Sequence, residues 1–196
     1  MKKVLILILL LLTVATITFA QSGWFLQNPL PQSKTLRSVF YSDANTGTAV
    51  GDSGTILRTT NGGVSWATQS SGTVNTLFSV YFIDTDIGTA VGADGTILRT
   101  TNGGTNWTSQ YSGTMYYLLD VCFTDSNTGT TVGGSGTIRH TTDGGANWTG
   151  PSSGKFNNLF GLSFTDASTA TAVGEMGIIL RTTNGGVSWA TQSSGT

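Results

Sequence analysis

Charge is scarce in this sequence. Lysine, arginine, aspartate and glutamate make up 10% of its 196 residues. Of the 9 basic side chains, two (Lys2 and Lys3) sit at the extreme N-terminus, which leaves 7 against 10 acidic ones. A nucleic-acid surface needs a concentrated basic footprint, so that class of partner is excluded. Cysteine occurs once, at Cys122, which rules out an intramolecular disulfide. It stands in an apolar stretch and reads as a small buried hydrophobe. The single histidine, His140, lies on a different kind of strand, so no Cys–His nucleophile is assembled. Glutamate also occurs once, at Glu175. Long apolar runs are missing after the first twenty residues, so no further membrane-spanning helix is expected. Low charge with abundant Thr, Ser, Gly and Asn would suit a disordered chain, but disordered chains also lack β-branched and aromatic residues. Here those residues return on a schedule, which reads as short strands between tight turns.

The first twenty residues stand apart. Lys2 and Lys3 precede an unbroken apolar run at residues 4–12, which fades through residues 13–19 and ends at the small Ala20. A basic head, a short apolar stretch and a small residue at the cut form the pattern of an export signal. The run is short for a bilayer span of about 20 apolar residues. No cysteine follows the cut and no arginine pair precedes the run. The expectation is cleavage after Ala20, a mature chain starting at Gln21, and a secreted or periplasmic protein with no integral membrane segment.

The remainder is a repeat. Leu36, Leu77, Leu118 and Leu159 start four units of 41 residues without insertions. Each unit opens on an apolar stretch (LRSVFY, LFSVYF, LLDVCF, LFGLSF), followed by an Asp-led turn and a strand ending in Val-Gly. A two-residue tip and a second glycine lead into GTILRTT or a close variant, then into TNGGVSW, TNGGTNW, TDGGANW and TNGGVSW, and a polar strand closes the unit. Four strands in about 40 residues indicate β-propeller blades. The predicted organisation is therefore all-β: a leader at 1–20, an N-terminal segment at 21–35, and blades at 36–76, 77–117, 118–158 and 159–196. With strands A to D running from innermost to outermost, Val39, Val80, Val121 and Leu162 are expected to be buried, together with Tyr41, Phe82, Phe123 and Phe164.

The segment Thr59-Thr60-Asn61-Gly62-Gly63-Val64-Ser65-Trp66 resembles the Asp box, a Ser/Thr-x-Asp/Asn-x-Gly-x-x-Trp turn. It recurs with Asn102, Gly104 and Trp107, with Asp143, Gly145 and Trp148, and with Asn184, Gly186 and Trp189. Asp boxes occur in sialidases, sortilin-type receptors and Ycf48/HCF136-like propellers of photosystem II assembly. The surrounding GTILRTTNGGxxW, with its preceding V-G-x-x-G, is most similar to the Ycf48-like repeat, and the likeness covers nearly all of residues 36–196. It implies an Asp-box propeller whose boxes are peripheral and structural. The Asx side chain holds the turn through nearby amides, the glycine permits it, and the Trp plugs the blade edge. It also implies a basic patch of strand-C arginines used for partner binding, which carries over to Arg58, Arg99 and Arg181; the residues themselves equally suit a structural role, each arginine stacked on the neighbouring Trp or bonded to loop carbonyls. The third unit departs from this pattern, because His140 fills the slot and Arg139 is shifted by one.

Several chemical readings were weighed. A sialidase-like enzyme would use the arginines as a carboxylate clamp. It also needs a carboxylic acid with a nucleophile or base, or a Tyr activated by a carboxylate. Glu175 stands in a B–C tip, and no such pair is visible, so no catalytic residue is assigned. The D-x-N-x-G and D-x-D-x-G runs at 43–47, 84–88 and 125–129 resemble half of a calcium loop but lack its closing Glu. An Asp-led hairpin turn explains the same letters. Two N-x-T sequons, at Asn106 and Asn147, are by-products of the box tryptophan. No metal or other cofactor is expected.

Binding of a protein or another macromolecule fits best. The units agree in their strands and differ in their D–A connections (TVNT at 73–76, TMYY at 114–117, KFNN at 155–158) and in their B–C tips (DS, AD, GS, EM). Strand alternation puts both loop sets on one rim, opposite the Asp boxes, with Tyr116, Tyr117 and Phe156 either as interface anchors or as rings that cap the blade seams. A photosystem II assembly factor is the alternative reading, and a carbohydrate-active enzyme or glycan binder the second. One irregularity remains. Strand A starts four times, but the D-strand tryptophan occurs five times, the surplus copy being Trp24. The expectation is an open arc with an apolar face bare on the last blade, which favours association.

Overall fold

The computed structural model describes residues 34–150, 153–193 and 195. The leader and the Trp24 strand lie outside the described residues. The first blade is β1 (Leu36–Tyr41), β2 (Gly47–Gly51), β3 (Ile56–Thr59) and β4 (Ala67–Gln69). The second is β5 (Leu77–Phe82), β6 (Gly88–Gly92), β7 (Ile97–Thr100) and β8 (Thr108–Gln110). The third is β9 (Leu118–Phe123), β10 (Gly129–Gly133) and β11 (Ile138–Thr141). The fourth is β12 (Leu159–Phe164), β13 (Ala170–Gly174), β14 (Ile179–Thr182) and β15 (Ala190–Gln192). In every blade consecutive strands pair antiparallel, in chain order. No helix of the described residues is long and apolar enough to cross a membrane.

The third blade is the irregular one. Among the described residues its outermost strand is a single bridge, His140 with Thr149. Where β4 and β8 run on through Ala67-Thr68-Gln69 and Thr108-Ser109-Gln110, the chain here continues Thr149-Gly150-Pro151. Proline has no N–H to give a ladder and glycine weakens one.

The B–C tips are tight 3-10 turns, at Asp52–Gly54, Ala93–Gly95, Gly134–Gly136 and Glu175–Gly177. Each places a non-glycine residue in the left-handed region: Ser53, Asp94, Ser135 and Met176, at φ 53–55°. Such φ values are uncommon outside glycine, and the following glycine, also at positive φ, shares the bend.

The core lies between blades. Val50 and Ile56 of the first blade meet Leu77, Val80, Phe82, Ala90 and Leu98 of the second, with Phe40 and Trp107 packed alongside. Val91 and Ile97 meet Leu118, Val121, Phe123 and Trp148. Val132 and Ile138 meet Leu159, Ala172 and Leu180. Every seam thus joins a donor side (the Val and Ile of strands B and C) to a receiving side (Leu, Val and Phe of strand A plus the box Trp). The arc is open, and this corrects two groups of burial expectations. Val80, Val121, Phe82 and Phe123 are buried, but Val39 is 57% and Tyr41 43% exposed. Leu162 and Phe164 are only half-buried. Val39 and Tyr41 face the side where no preceding blade packs among the described residues. A bare face is also present on the fourth blade, where Val173 is 45% exposed.

Candidate functional site

The arc has two rims of different construction. On one, each Asp box docks against the A–B turn of its own blade: the amides of Gly62, Gly103, Gly144 and Gly185 donate to the carbonyls of Asn45, Asp86, Asn127 and Ser168. Within the first box, Asn61 Oδ1 accepts from the Ser65 amide at 3.0 Å and from Thr59 Oγ1 at 2.9 Å, while Thr59 Oγ1 accepts from the Gly63 amide. Asn102 and Asn184 do the same toward Asn106 and Ser188. Asp143 receives both the amide and the side-chain Nδ2 of Asn147. Those bonds favour the charged form and hold its carboxyl at about 2. Gly63, Gly104, Gly145 and Gly186 all have φ between 80° and 97°. A Cβ at Gly104 would strike the side chain of Gln69, and one at Gly145 that of Gln110, so the box glycine also makes room for the preceding blade. In the A–B turns Asp43, Asp84, Asp125 and Asp166 each accept two backbone amides on Oδ1.

The strand-C arginines do not share one environment. Arg99 is 8% exposed. It donates to Thr89 Oγ1 at 2.8 Å and to the Ser126 carbonyl of the third blade at 2.6 Å, and lies 4.6 Å above the Phe123 ring. Arg58 repeats this, half-buried, on Thr48 Oγ1, the Thr85 carbonyl and the Phe82 ring. Burial lowers the pKa of both guanidinium groups. His140 fills the third slot, buried, with Nδ1 3.0 Å from Thr130 Oγ1. Burial lowers its pKa. Arg139 points the other way, to the Gly113 carbonyl, and its buried Nε has no hydrogen-bond partner among the described residues. Arg181 is exposed, and its side chain makes no hydrogen bond or ion pair among the described residues. Arg58 and Arg99 are engaged with the blade that follows them rather than with each other.

The opposite rim carries the D–A connections and the B–C tips together. Ala93 N donates to the Thr76 carbonyl, Gly134 N to that of Tyr117 and Gly95 N to that of Tyr116. Glu175 is committed here too, its Oε1 and Oε2 accepting from the side chain and amide of Asn158. Apolar side chains crowd this rim. Phe156 is 88% exposed, Tyr116 57% and Tyr117 54%. Val74, Met115 and Met176 are also exposed. These three had not been singled out, although they stand in the same variable loops. Tyr116 and Phe156 line one cleft of about 240 Å³, which also holds Lys155 and Arg139.

On the inner strands Asp120 ties three blades together. Its Oδ1 accepts from Ser79 Oγ at 2.9 Å and its Oδ2 from the Leu162 amide at 2.8 Å. Burial raises its pKa. Cys122, half-buried beside it, has its thiol pKa raised by burial as well.

With this geometry in hand, the chain was compared with known proteins. A family model described as photosynthesis system II assembly factor YCF48 matches residues 18–112 and again residues 110–194. Two solved structures with a similar fold are described as Ycf48 bound to D1 peptide (TM-score 0.70, 22% identity, 85% of this chain and 57% of that one) and Ycf48 from Cyanidioschyzon merolae (TM-score 0.68, 23% identity, 86% and 59%). This chain therefore spans less than three-fifths of either. An ancestral GH74 enzyme also matches, at TM-score 0.65 and 19% identity, over 79% of this chain and 23% of that one. At such identities these structures establish the β-propeller fold alone. No curated protein sequence matches.

Proposed function

Because the chain belongs to the Ycf48 family of Asp-box propellers, we propose that it is a non-catalytic scaffold holding a segment of another protein on the rim of D–A connections. The observation that carries this reading is the cleft between Tyr116 and Phe156. Aromatic side chains exposed in one place on rigid loops are typical anchors of a protein interface. Arg139 and Lys155 in the same cleft suit a segment bearing a carboxylate. One similar protein is described as bound to a D1 peptide, which favours a peptide as the ligand form. Assembly of photosystem II, the process named for the family, is the second reading. The single glutamate, Glu175, is spent on Asn158, which supports a scaffold over a glycosidase. We also read the protein as exported, on the strength of residues 1–20.

The test is selection of a displayed peptide library on the full chain, followed by affinity measurements with Tyr116→Ala/Phe156→Ala. Losing two anchors is expected to weaken selected peptides at least about tenfold with the circular dichroism unchanged. Unchanged affinity would overturn the rim assignment. A D1 peptide assayed alongside tests the second reading. A glycan panel with a fluorogenic sialoside tests the carbohydrate alternative.

A further inference from the structure

Asparagine followed by glycine occurs at Asn61-Gly62, Asn102-Gly103 and Asn184-Gly185, each time at the centre of an Asp box. Asparagine is a thermolabile residue, and glycine after it makes it more so. The main-chain nitrogen of the glycine gives up its proton and attacks the asparagine Cγ. The side-chain nitrogen leaves as ammonia, and a succinimide ring remains. Water then opens the ring at either carbonyl. One product is aspartate. The other is isoaspartate, in which the side-chain carbon has entered the main chain. Glycine favours the attack because no side chain crowds its nitrogen and its backbone turns freely. All three asparagines are exposed among the described residues, so exclusion of water does not protect them.

The fold pins both reacting groups instead. The attacking nitrogens are engaged: Gly62 N donates to the Asn45 carbonyl at 2.8 Å, Gly103 N to that of Asp86 at 2.9 Å, and Gly185 N to that of Ser168 at 2.7 Å. The side-chain carbonyls are engaged too. Asn61 Oδ1 accepts from Thr59 and Ser65, Asn102 Oδ1 from Thr100 and Asn106, and Asn184 Oδ1 from Thr182 and Ser188, all at 2.9–3.1 Å. Ring closure brings the nitrogen and Cγ to bonding distance, so these bonds open first. The carbonyl that holds each nitrogen belongs to the A–B turn. The docking of box on turn is therefore what guards the pair.

The third box displays the product. Asp143 stands where the others have asparagine, accepting from the Thr141 hydroxyl at 2.8 Å and the Asn147 amide at 2.9 Å. Gly144 N still donates to the Asn127 carbonyl. Aspartate thus fits a closed box. Isoaspartate does not, because it lengthens the main chain by one carbon inside a turn where both partners must stay in place.

We infer that Asn61, Asn102 and Asn184 are latent deamidation sites, kept shut by the docking of each box on the A–B turn of its own blade. A box that opens is exposed to conversion, and an isoaspartate formed there holds it open. A reaction that runs only from an open state is slowed by the rarity of that state. Each bond that must open contributes about fivefold, so three together slow it about a hundredfold.

The test is to incubate the full chain in mildly alkaline buffer, folded and in urea, and to follow each box peptide by mass spectrometry for the exchange of amide for acid. In urea all three boxes should convert readily; in the folded chain each should convert about a hundredfold more slowly. Protection below about tenfold overturns the proposal, and so does slow conversion in urea. Asp43→Ala removes the carboxylate that holds the Asn45 and Thr46 amides and loosens the turn under the first box. It should speed Asn61 at least about fivefold while Asn102 and Asn184 keep their rates, with circular dichroism unchanged. An unaltered Asn61 rate, or the same acceleration at all three boxes, would deny the docking bond its role. Asn61→Asp should melt as the unaltered chain does; a lower melting temperature would refute the fit of aspartate in a closed box.

Discussion

Replacing the strand-C arginines one at a time turns the seam into a ruler. Arg99 loses most by truncation. It is buried, gives two hydrogen bonds and covers the Phe123 ring. A hydrogen bond from a charged donor contributes about 1.5–3 kcal/mol, and a guanidinium over an aromatic ring about 0.5–2 kcal/mol. Water returns part of this, because Arg99 and Ser126 border a groove of about 540 Å³. The expected cost of Arg99→Ala is therefore about 2–4 kcal/mol. Arg58 makes the same contacts half-buried, and Arg58→Ala should cost about 1–3 kcal/mol. The Arg181 side chain has no hydrogen bond, ion pair or ring contact among the described residues, and Arg181→Ala should stay within about 0.5 kcal/mol. The assay is urea unfolding followed by circular dichroism and tryptophan fluorescence. At a slope of about 1–3 kcal/mol/M, Arg99→Ala moves the midpoint by about 1 M or more. Equal losses at Arg99 and Arg181 would refute the reasoning, because the arginine would then act within its own blade and not across a seam. The same series isolates Arg181, whose replacement reads any role in partner capture without a stability loss.

Asp143 gives a prediction in pH. Hydrogen bonds from Asn147 lower its carboxyl from 3.8 to about 2, so the stabilisation it brings is present above 3.8 and is lost as the pH falls through about 2. Asp143→Asn, which matches the other three boxes, should fold normally and show a shallower loss of stability between those two values in acid titrations of the unfolding midpoint; an unchanged slope would deny the carboxylate this role. For export, mass spectrometry of protein recovered outside the cytoplasm should find Gln21 as the first residue, and a chain retaining residues 1–20 would count against cleavage.

The blades were legible in the sequence because each repeats a complete set of local instructions: an apolar strand, an Asp-led turn, a Val-Gly strand and a box. All four Asp-led turns and all four boxes sit where the letters place them. What the letters do not carry is which unit stands at an end. Val39 and Val80 hold the same position in their repeats, each after a Ser and before two aromatics, and the presence of a preceding blade separates 57% exposure from 4%. The arginines were legible in part: bonding to loop carbonyls was one reading of their position, and Arg58 and Arg99 do so, but the ring each covers is the strand-A Phe and not the Trp, and Arg181 stands apart. ILRT reads the same at Arg58, Arg99 and Arg181, and the carbonyl each would reach belongs to the next repeat. The loss of the third blade's outer strand was written in Gly150-Pro151, a signal available from residue type alone. The shared rim of the D–A connections and B–C tips was legible from strand alternation, but the exposure of Val74, Met115 and Met176 on it was not, because an apolar letter in a loop does not say whether it is covered.

The third blade's substitutions bear on how the molecule comes apart. The seam between the third and fourth blades has His140 where the others have a clamping arginine, and Pro151 where they have a glutamine. The Trp189 indole accordingly donates to the Gly186 carbonyl of its own turn. Among the described residues this joint lacks the glutamine and arginine links of the other two seams and has instead the Asp120 contact with the Leu162 amide. In an array whose stability is a sum of unit and neighbour terms, the weakest joint decides where the array parts first. The molecule behaves as three riveted blades and a hinged fourth. Amides of β13 and β14 are then the first in the arc to trade with solvent deuterium, and under load the chain cracks along that line while the first three blades hold.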